Sequence, residues 1–206
     1  MQSNTLKRIK IAGLSVALIC TSLFASQPAQ AAATYNGTED AIVDITPMSA
    51  ASILTFSYTG EGVFSASPVD ATGNEGLPYM LEIGDFNGTY FQSASSKKIV
   101  ALAVKGTGEW SVTIDSYKKA TVVGAKSGSG AGSSVVSIGK ATKGIKRITW
   151  SHTGEGVFSV SPIDAKGRSK LPLFLKIGDY TGTVMLQSGI QYFDIKASGD
   201  WKFTIK

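Results

Sequence analysis

An internal repeat is the feature that most limits how this chain can fold. Residues 59–65 recur as residues 153–159 with the identical sequence TGEGVFS. At this offset of 94, residues 59–91 and 153–185 are identical at twenty of thirty-three positions. Self-similarity at a fixed offset is typical of one structural unit that has been copied along a chain. The sequence therefore predicts two tandem modules, over residues 34–118 (module 1) and 133–206 (module 2).

The spacing of apolar residues within each copy predicts β-strands. Apolar side chains occupy every second position in residues 54–58, 148–152 and 201–205, among others. Short alternating runs bounded by Gly, Asp, Asn and Pro indicate strands and turns. Six to eight such strands per copy favour two packed antiparallel sheets, because one flat sheet would leave its apolar face in water. We therefore predict an all-β fold of two tandem β-sandwich modules, jelly-roll or Ig-like, although a small barrel fits nearly as well.

The segment between the copies is rich in glycine and serine. Residues 124–134 read GAKSGSGAGSS, a composition typical of flexible linkers, with an end-to-end separation of about 18 Å for eleven residues. We therefore predict a flexible linker at residues 119–132, which leaves the orientation of the two modules open.

The first 31 residues have the layout of a secretory signal peptide. Lys7, Arg8 and Lys10 precede an apolar run at residues 11–24, and residues 29–31 read AQA, a signal-peptidase pattern. The run is shorter than the roughly twenty residues of a membrane span, although an uncleaved anchor is the alternative. We predict a secreted protein, extracellular or at the cell surface, with no membrane insertion. The only cysteine, Cys20, lies in this segment, so disulfides cannot stabilise the mature chain.

The two modules carry opposite net charges. Residues 34–115 contain ten acidic residues and three lysines, a net charge of −7. Residues 116–206 contain fourteen basic and five acidic residues, a net charge of +9. Such a division affects association more than it affects the fold.

Three segments carry a resemblance to a known group of modules. They are GEGVFSVS at residues 154–161, IGDYTGT at 177–183 and FDIKASGDWKFTI at 193–205. Their order resembles the β-sandwich modules of secreted bacterial proteins, including those of the bacterial pre-peptidase C-terminal type. The resemblance covers both copies and implies non-catalytic accessory, adhesive or polymer-binding modules. It assigns no functional residue, because the shared motifs are structural.

The residues that catalysis would need favour structural roles, and we predict no catalytic residues and no enzyme activity. His152 is the only histidine, and it continues the apolar face of a strand on which the first copy has Tyr58. No nucleophile elbow, zinc-protease helix or phosphate loop is present. Paired carboxylates could hydrolyse glycosides, but the acids repeated in both copies lie in turn sequences, where Asp side chains bind backbone amides. These acids are Glu61, Asp70 and Asp85, with Glu155, Asp164 and Asp179.

Aromatic residues are the other possible binding groups. Trp110 and Trp201 share faces with apolar residues, so we predict that both lie in the core. Phe174 and Tyr192 have the opposite parity and Tyr180 lies in a turn, and these three are the predicted ligand-binding residues. We predict no cofactor and no metal site, with calcium in the acidic turns as the remaining possibility. The sequence contains no aromatic-basic motif of the kind that binds nucleic acid, so we predict no nucleic-acid partner.

Three functions remain, in order of preference. The first is a secreted, non-enzymatic adhesion or binding protein that recognises a polysaccharide or an anionic cell-wall polymer. The second is a structural or assembly protein that self-associates through acidic module 1 and basic module 2, a contact that can propagate. The third is a glycan hydrolase.

Overall fold

The computed structural model describes Arg8–Ile9 and residues 32–206. Almost all regular structure in these residues is β-strand, with one 3-10 turn at Tyr117–Lys119, so the all-β prediction is confirmed. No helix among them is long and apolar enough to cross a membrane. Apart from Arg8–Ile9 (β1), the predicted signal peptide lies outside the described residues.

Module 1 is built from eight strands in two sheets. They are β2 (Ala33–Gly37), β3 (Ala41–Met48), β4 (Ser52–Thr59), β5 (Val63–Asp70), β6 (Met80–Ile83), β7 (Phe86–Gln92), β8 (Ile99–Lys105) and β9 (Glu109–Ser116). One sheet has the order β3-β8-β5-β6 and the other has the order β2-β9-β4-β7. All of these neighbours are antiparallel. β1 adds a short parallel pair beside β3.

Module 2 repeats this arrangement strand for strand. Its strands are β11 (Ser127–Ala131), β12 (Ser134–Ser137), β13 (Lys146–Thr153), β14 (Val157–Asp164), β15 (Phe174–Ile177), β16 (Tyr180–Leu186), β17 (Ile190–Lys196) and β18 (Asp200–Ile205). The sheet orders are β12-β17-β14-β15 and β11-β18-β13-β16. A short strand, β10 (Thr121–Val122), pairs parallel to β12.

The strand order distinguishes between the sandwich types that the sequence left open. Apart from the two-residue edge strands β1 and β10, each module has eight strands in two four-stranded sheets, and the chain passes between the sheets after almost every strand. Only the hairpins β5–β6 and β14–β15 join sequence neighbours within a sheet. Eight strands in two such four-stranded sheets are the layout of a jelly roll, whereas Ig-like domains have seven or nine strands in sheets of different size.

Each module has its own aromatic core. In module 2, Trp150 is fully buried and packs against Phe158, Phe193, Phe203 and other rings. The inward positions of the alternating runs supply this core, as period-two spacing requires. Trp110 and Trp201 belong to the two cores, which confirms the prediction made for them.

The predicted flexible linker is wrong, because most of residues 119–132 belong to module 2. β10 pairs with β12, and β11 pairs with β18 over five residues, from Ser127 opposite Thr204 to Ala131 opposite Asp200. The glycines have a packing role: a Cβ at Gly128 or Gly130 would collide with the rings of Phe203 and Trp201. Glycine within a strand often marks such a close approach.

The two modules also pack against each other. Ala51, Ile53, Tyr117 and Ala120 form a buried cluster with residues from the second module: Val135, Ile163 and Tyr192. The ring centroids of Tyr117 and Tyr192 lie 5.3 Å apart. The backbone N–H of Thr89 donates to the carbonyl of Ser133 at 3.0 Å. The connection therefore fixes the orientation that a flexible linker would have left open.

These boundaries predict how the chain can be divided. We expect residues 120–206 to unfold cooperatively alone and residues 133–206 not to, because the shorter fragment lacks β10 and β11. The loss of β11 uncovers Trp201 and Phe203, at a cost of about 3–5 kcal/mol for a large aromatic group. The total free energy of unfolding of a typical domain is roughly 5–15 kcal/mol. Urea titrations followed by far-UV circular dichroism test this. A cooperative transition for residues 133–206 would restore the linker interpretation.

Candidate functional site

Each module has one sheet whose outer face consists mainly of short polar side chains. In module 1 the register places Thr34, Thr113, Thr55 and Thr89 in one row across β2, β9, β4 and β7. Their hydroxyls pair at 2.9 Å between Thr34 and Thr113 and at 3.1 Å between Thr55 and Thr89. Such cross-strand pairs stabilise a sheet and fix the positions of its side chains. We call this surface the hydroxyl face of module 1.

Module 2 carries an equivalent hydroxyl face. The matching row contains Ser127, Thr204, Thr149 and Thr183 across β11, β18, β13 and β16. The hydroxyls of Thr149 and Thr183 pair at 2.8 Å. The pattern of short hydroxyl side chains is therefore repeated at equivalent positions of the two modules.

The neighbouring row on each face lies in a shallow groove, and the two grooves occupy equivalent places. Groove 1 has a volume of about 430 Å³ and groove 2 of about 890 Å³. Groove 1 includes Asn36, Ser57, Thr59, Glu109 and Ser111. Groove 2 includes their counterparts Ser129, Ser151, Thr153, Asp200 and Lys202. The register of the paired strands gives these correspondences.

A glycine above a tryptophan forms part of each groove. Gly37 lies over the indole of Trp110 and Gly130 over that of Trp201, where a Cβ would collide with the ring. The indole nitrogens donate to backbone carbonyls, that of Trp110 to Glu39 at 3.0 Å and that of Trp201 to Gly132 at 3.1 Å. The tryptophans therefore support the grooves from below, and the polar rows supply the accessible hydrogen-bonding groups.

The two grooves differ in charge. Each has a carboxylate on its lining, Glu109 or Asp200, but Lys202 of groove 2 replaces Ser111 of groove 1. Arg147, which is exposed on β13, occupies the position of Ile53. The hydroxyl face of module 2 is therefore the more cationic of the two, in agreement with the charge division in the sequence.

The structure places Tyr192 apart from the other two predicted ligand-binding residues, Phe174 and Tyr180. Tyr180 is half-buried and lines groove 2. Phe174 is also half-buried, with its ring centroid 4.8 Å from that of Tyr180, and packs against the core of module 2. The prediction that Phe174 faces away from the core is therefore wrong. Tyr192 is only 5% exposed and packs against Tyr117 between the modules. Its placement on a ligand surface is therefore corrected: the outward parity of Tyr192 is real, but module 1 covers that face.

The four repeated aspartates accept hydrogen bonds that hold turns together. One carboxylate oxygen of Asp70 accepts hydrogen bonds from Thr72 and from the backbone of Asn74. These bonds, led by that of the Thr72 side chain, lower the pKa of Asp70 to about 2. Asp164 accepts bonds from the backbone of Lys166 and from Arg168. Asp85 and Asp179 accept from the backbone of Gly60 and Gly154 at 2.9 Å.

His152 is a buried side chain that packs against an aromatic ring. It is buried, its ring stacks on Phe158 at 4.6 Å, and its Nδ1 lies 2.9 Å from the carbonyl oxygen of Gly178. Tyr58 stacks on Phe64 at 4.7 Å in the same place in module 1. The prediction that His152 continues an apolar strand face is confirmed. In the described part of the chain, no three His, Cys, Asp or Glu side chains are grouped so that they could hold a metal ion.

Sequence reasoning missed the hydroxyl faces. That reasoning interpreted the apolar positions of each alternating run and assigned no role to the polar positions between them. The signal was present, because Ser and Thr occupy most polar positions of β4 and β9 and recur along β13 at Thr149, Ser151 and Thr153. Only the register shows that they form rows and that the rows match between the modules.

Neither a protein-family model nor a curated protein matches this sequence. Similar solved structures include a conserved protein of unknown function from Pseudomonas aeruginosa, 11% identical, with a TM-score of 0.26 over 85% of this chain and 78% of that chain. A protein kinase A regulatory subunit from Trypanosoma cruzi is 9% identical, with a TM-score of 0.24 over 85% and 72%. Oxalate decarboxylase from Bacillus subtilis is 9% identical, with a TM-score of 0.19 over 84% and 70%. These values assign no function.

Proposed function

We propose that this chain is a secreted, non-enzymatic protein that binds an extended polysaccharide of the cell surface or extracellular matrix in its two grooves. One observation carries the proposal: the same groove, lined by hydrogen-bonding side chains, occurs at equivalent positions of both modules. The two grooves lie on one chain and in a fixed relation to each other. One long polymer that contacts both gains avidity without any further contact.

The chemistry of the grooves fits a sugar chain. Hydroxyls donate and accept hydrogen bonds, and carboxylates accept them, so Ser57, Ser151 and Asp200 complement the hydroxyls of a saccharide. Both grooves are open, whereas pockets for small molecules usually enclose most of their ligand. An open polar groove on a rigid sheet suits a segment of a longer chain that continues beyond the protein.

The charge of module 2 favours an anionic polysaccharide. Lys202 lines groove 2 and Arg147 lies on the same hydroxyl face. The surrounding half of the chain has a net charge of +9. Contacts between exposed charges weaken as salt shortens the Debye length, which is about 10 Å at 0.1 M. Binding through module 2 should therefore decrease as the salt concentration rises.

Asp70 and Asp164, two of the repeated acids considered for hydrolysis, favour binding instead. Glycoside hydrolysis needs one carboxyl group that stays protonated to act as an acid. Asp70 is held in the ionised form by its turn, with its pKa lowered to about 2 by hydrogen bonds from the Thr72 side chain and nearby backbone amides. The pKa of Asp164 is also low, because hydrogen bonds from Arg168 and Lys166 outweigh the effect of burial. Both acids serve as hydrogen-bond acceptors within their turns.

Filling the grooves tests the proposal. We expect the double variant Ser57→Leu/Ser151→Leu to reduce retention on insoluble cell-wall polysaccharide at least tenfold. The leucines occupy the grooves and remove two hydrogen-bonding groups, each worth about 0.5–1.5 kcal/mol. A sedimentation assay with the mature chain, residues 32–206, measures this on an anionic and a neutral polymer at low and high salt.

The control places leucines on the same two faces but outside the grooves. Thr113→Leu/Thr204→Leu lies one row away, on strands β9 and β18, and should retain binding. Equal loss in both double variants would mean that the grooves are not the site. No retention of the unmodified chain on any polysaccharide would reject the proposed function.

A further inference from the structure

The contact between the modules joins two different surfaces. One is the edge surface of module 1, formed by Ala51, Ile53 and Phe91 beside β7. The other is the receiving face of module 2, the outer side of β12, β17 and β14, with Val135, Tyr192 and Ile163. A contact between unlike surfaces is heterologous, and such a contact can repeat from one copy to the next.

Because the modules are duplicates, each has both surfaces. On module 2 the positions of Ala51, Ile53 and Phe91 are taken by Ile145, Arg147 and Met185, as the pairing of β4 with β7 and of β13 with β16 shows. On module 1 the positions of Val135, Ile163 and Tyr192 are taken by Ile42, Val69 and Ala101. The contact within the chain uses the edge surface of module 1 and the receiving face of module 2. On the receiving face of module 1, Ile42 and Val69 are half-buried, and Ala101 and Ala103 are 4% and 8% exposed.

The edge surface of module 2 exposes large apolar side chains to solvent. Met185 is 60% exposed and Ile145 69% exposed, and both stand where module 1 buries or half-buries an interface residue. Met185 also lines an apolar groove of about 300 Å³ with Leu171, Leu173 and Ile190. Apolar surface that is grouped in this way is typical of interaction sites.

We infer that the edge surface of module 2, around Ile145 and Met185, binds the receiving face of module 1 in a second copy of this chain, so that copies join head to tail. The contact repeats the one within the chain. It shares Arg147 with the hydroxyl face of module 2 but uses none of the side chains that line groove 2. It brings the module with net charge +9 against the module with net charge −7, which favours encounter between unlike ends.

Two differences set the strength of this contact. Ala103 of the receiving face of module 1 replaces Asp194 of module 2, so a buried carboxylate is absent. In contrast, Tyr117 and Ala120, which strengthen the contact within the chain, come from the connection between the modules and do not take part. The association also lacks the high effective concentration that a covalent connection provides. It should therefore be weak, and visible at high protein concentration.

Sedimentation equilibrium of the mature chain, residues 32–206, tests the inference. Over concentrations from about 10 µM to about 1 mM, a range that detects weak association, the average mass should rise above that of a monomer and fall again at high salt. Met185→Asp on the edge surface, or Ala103→Arg on the receiving face, should weaken association at least tenfold. Val122→Asp is the control, because Val122 is 65% exposed on β10, which lies in the sheet that does not contain β13 or β16. It should have no effect.

Mixing the variants distinguishes this contact from a symmetric one. Met185→Asp retains a functional receiving face and Ala103→Arg retains a functional edge surface, so an equal mixture should form dimers that neither variant forms alone. Val69→Lys replaces Ala103→Arg if circular dichroism shows that the latter does not fold. A monomeric native chain at every concentration, or a mixture that stays monomeric while the native chain associates, would overturn the inference.

Discussion

We expect Trp201→Ala to lower the free energy of unfolding by about 3–5 kcal/mol, the usual cost of truncating a buried tryptophan. Trp201 is 3% exposed, packs against Trp150 and is covered by Gly130 of β11. Its removal leaves a cavity under a strand that has no side chain at that position to fill it. Urea denaturation measures the loss, which is a large part of the roughly 5–15 kcal/mol of a typical domain.

Trp201→Phe is the matched control. It keeps a large apolar ring and loses the hydrogen bond from the indole nitrogen to the carbonyl of Gly132, a cost of about 0.5–1.5 kcal/mol. The loss should therefore be well below that of alanine. An alanine variant as stable as the native chain, with unchanged fluorescence emission, would place Trp201 on a solvent-exposed surface.

Period-two spacing was sufficient to predict the strands, because an amphipathic strand must turn every second side chain towards the core. The runs at residues 54–58, 148–152 and 201–205 all lie in strands, and the repeat predicts two equivalent modules. The choice between jelly roll and Ig-like sandwich was out of reach. It depends on which strands pair, and neighbours such as β4 and β9 are distant in sequence.

The linker prediction failed for a physical reason. Glycine has two uses, conformational freedom in a loop and close approach of the backbone in a packed element. Composition alone cannot distinguish them. In β11 the alternation of serine and glycine places Gly128 and Gly130 over Phe203 and Trp201. Gly37 lies over Trp110 in module 1 in the same way.

The candidate site was only partly accessible from sequence. Tyr180 was predicted and lines groove 2. Tyr192 was assigned to a ligand surface because of its parity, which says that a side chain faces away from its own core but not what lies beyond. Module 1 lies there. The hydroxyl rows depend on register across four strands, which no local pattern gives.

We expect Asp194→Asn to raise the stability of the chain at neutral pH, by an amount on the order of 1–3 kcal/mol at about 1.4 kcal/mol for each pKa unit. Asp194 faces module 1, and its Oδ1 is buried without a hydrogen-bond partner in the described part of the chain. Burial raises the pKa of Asp194 to about 6, although Lys196 on the same strand and the backbone N–H of Phe91 act against this. Tyr90 and Glu82 of module 1 share this environment and supply no positive charge.

The sign of this pH dependence follows from the direction in which folding shifts the pKa of Asp194. A folded-state pKa above the unfolded value of 3.8 means that folding disfavours the ionised form. The native chain should therefore lose stability as the pH rises from about 4 to about 6, by about 1.4 kcal/mol for each pKa unit. Well below pH 3.8 the carboxyl group is protonated in both states, and the native chain and the variant should be nearly equally stable there. Asparagine cannot ionise, so the decrease over this range should be smaller in the variant.

Urea denaturation of the native chain and the Asp194→Asn variant at intervals between pH 4 and pH 7 measures this difference. Asp200→Asn is the control, because Asp200 is an exposed carboxylate on β18, and surface substitutions usually change stability by less than about 0.5 kcal/mol. A constant difference between native chain and variant over the whole pH range would contradict the argument. It would mean that Asp194 is ionised and well solvated in the folded protein, and hence that the modules are not packed together over that face.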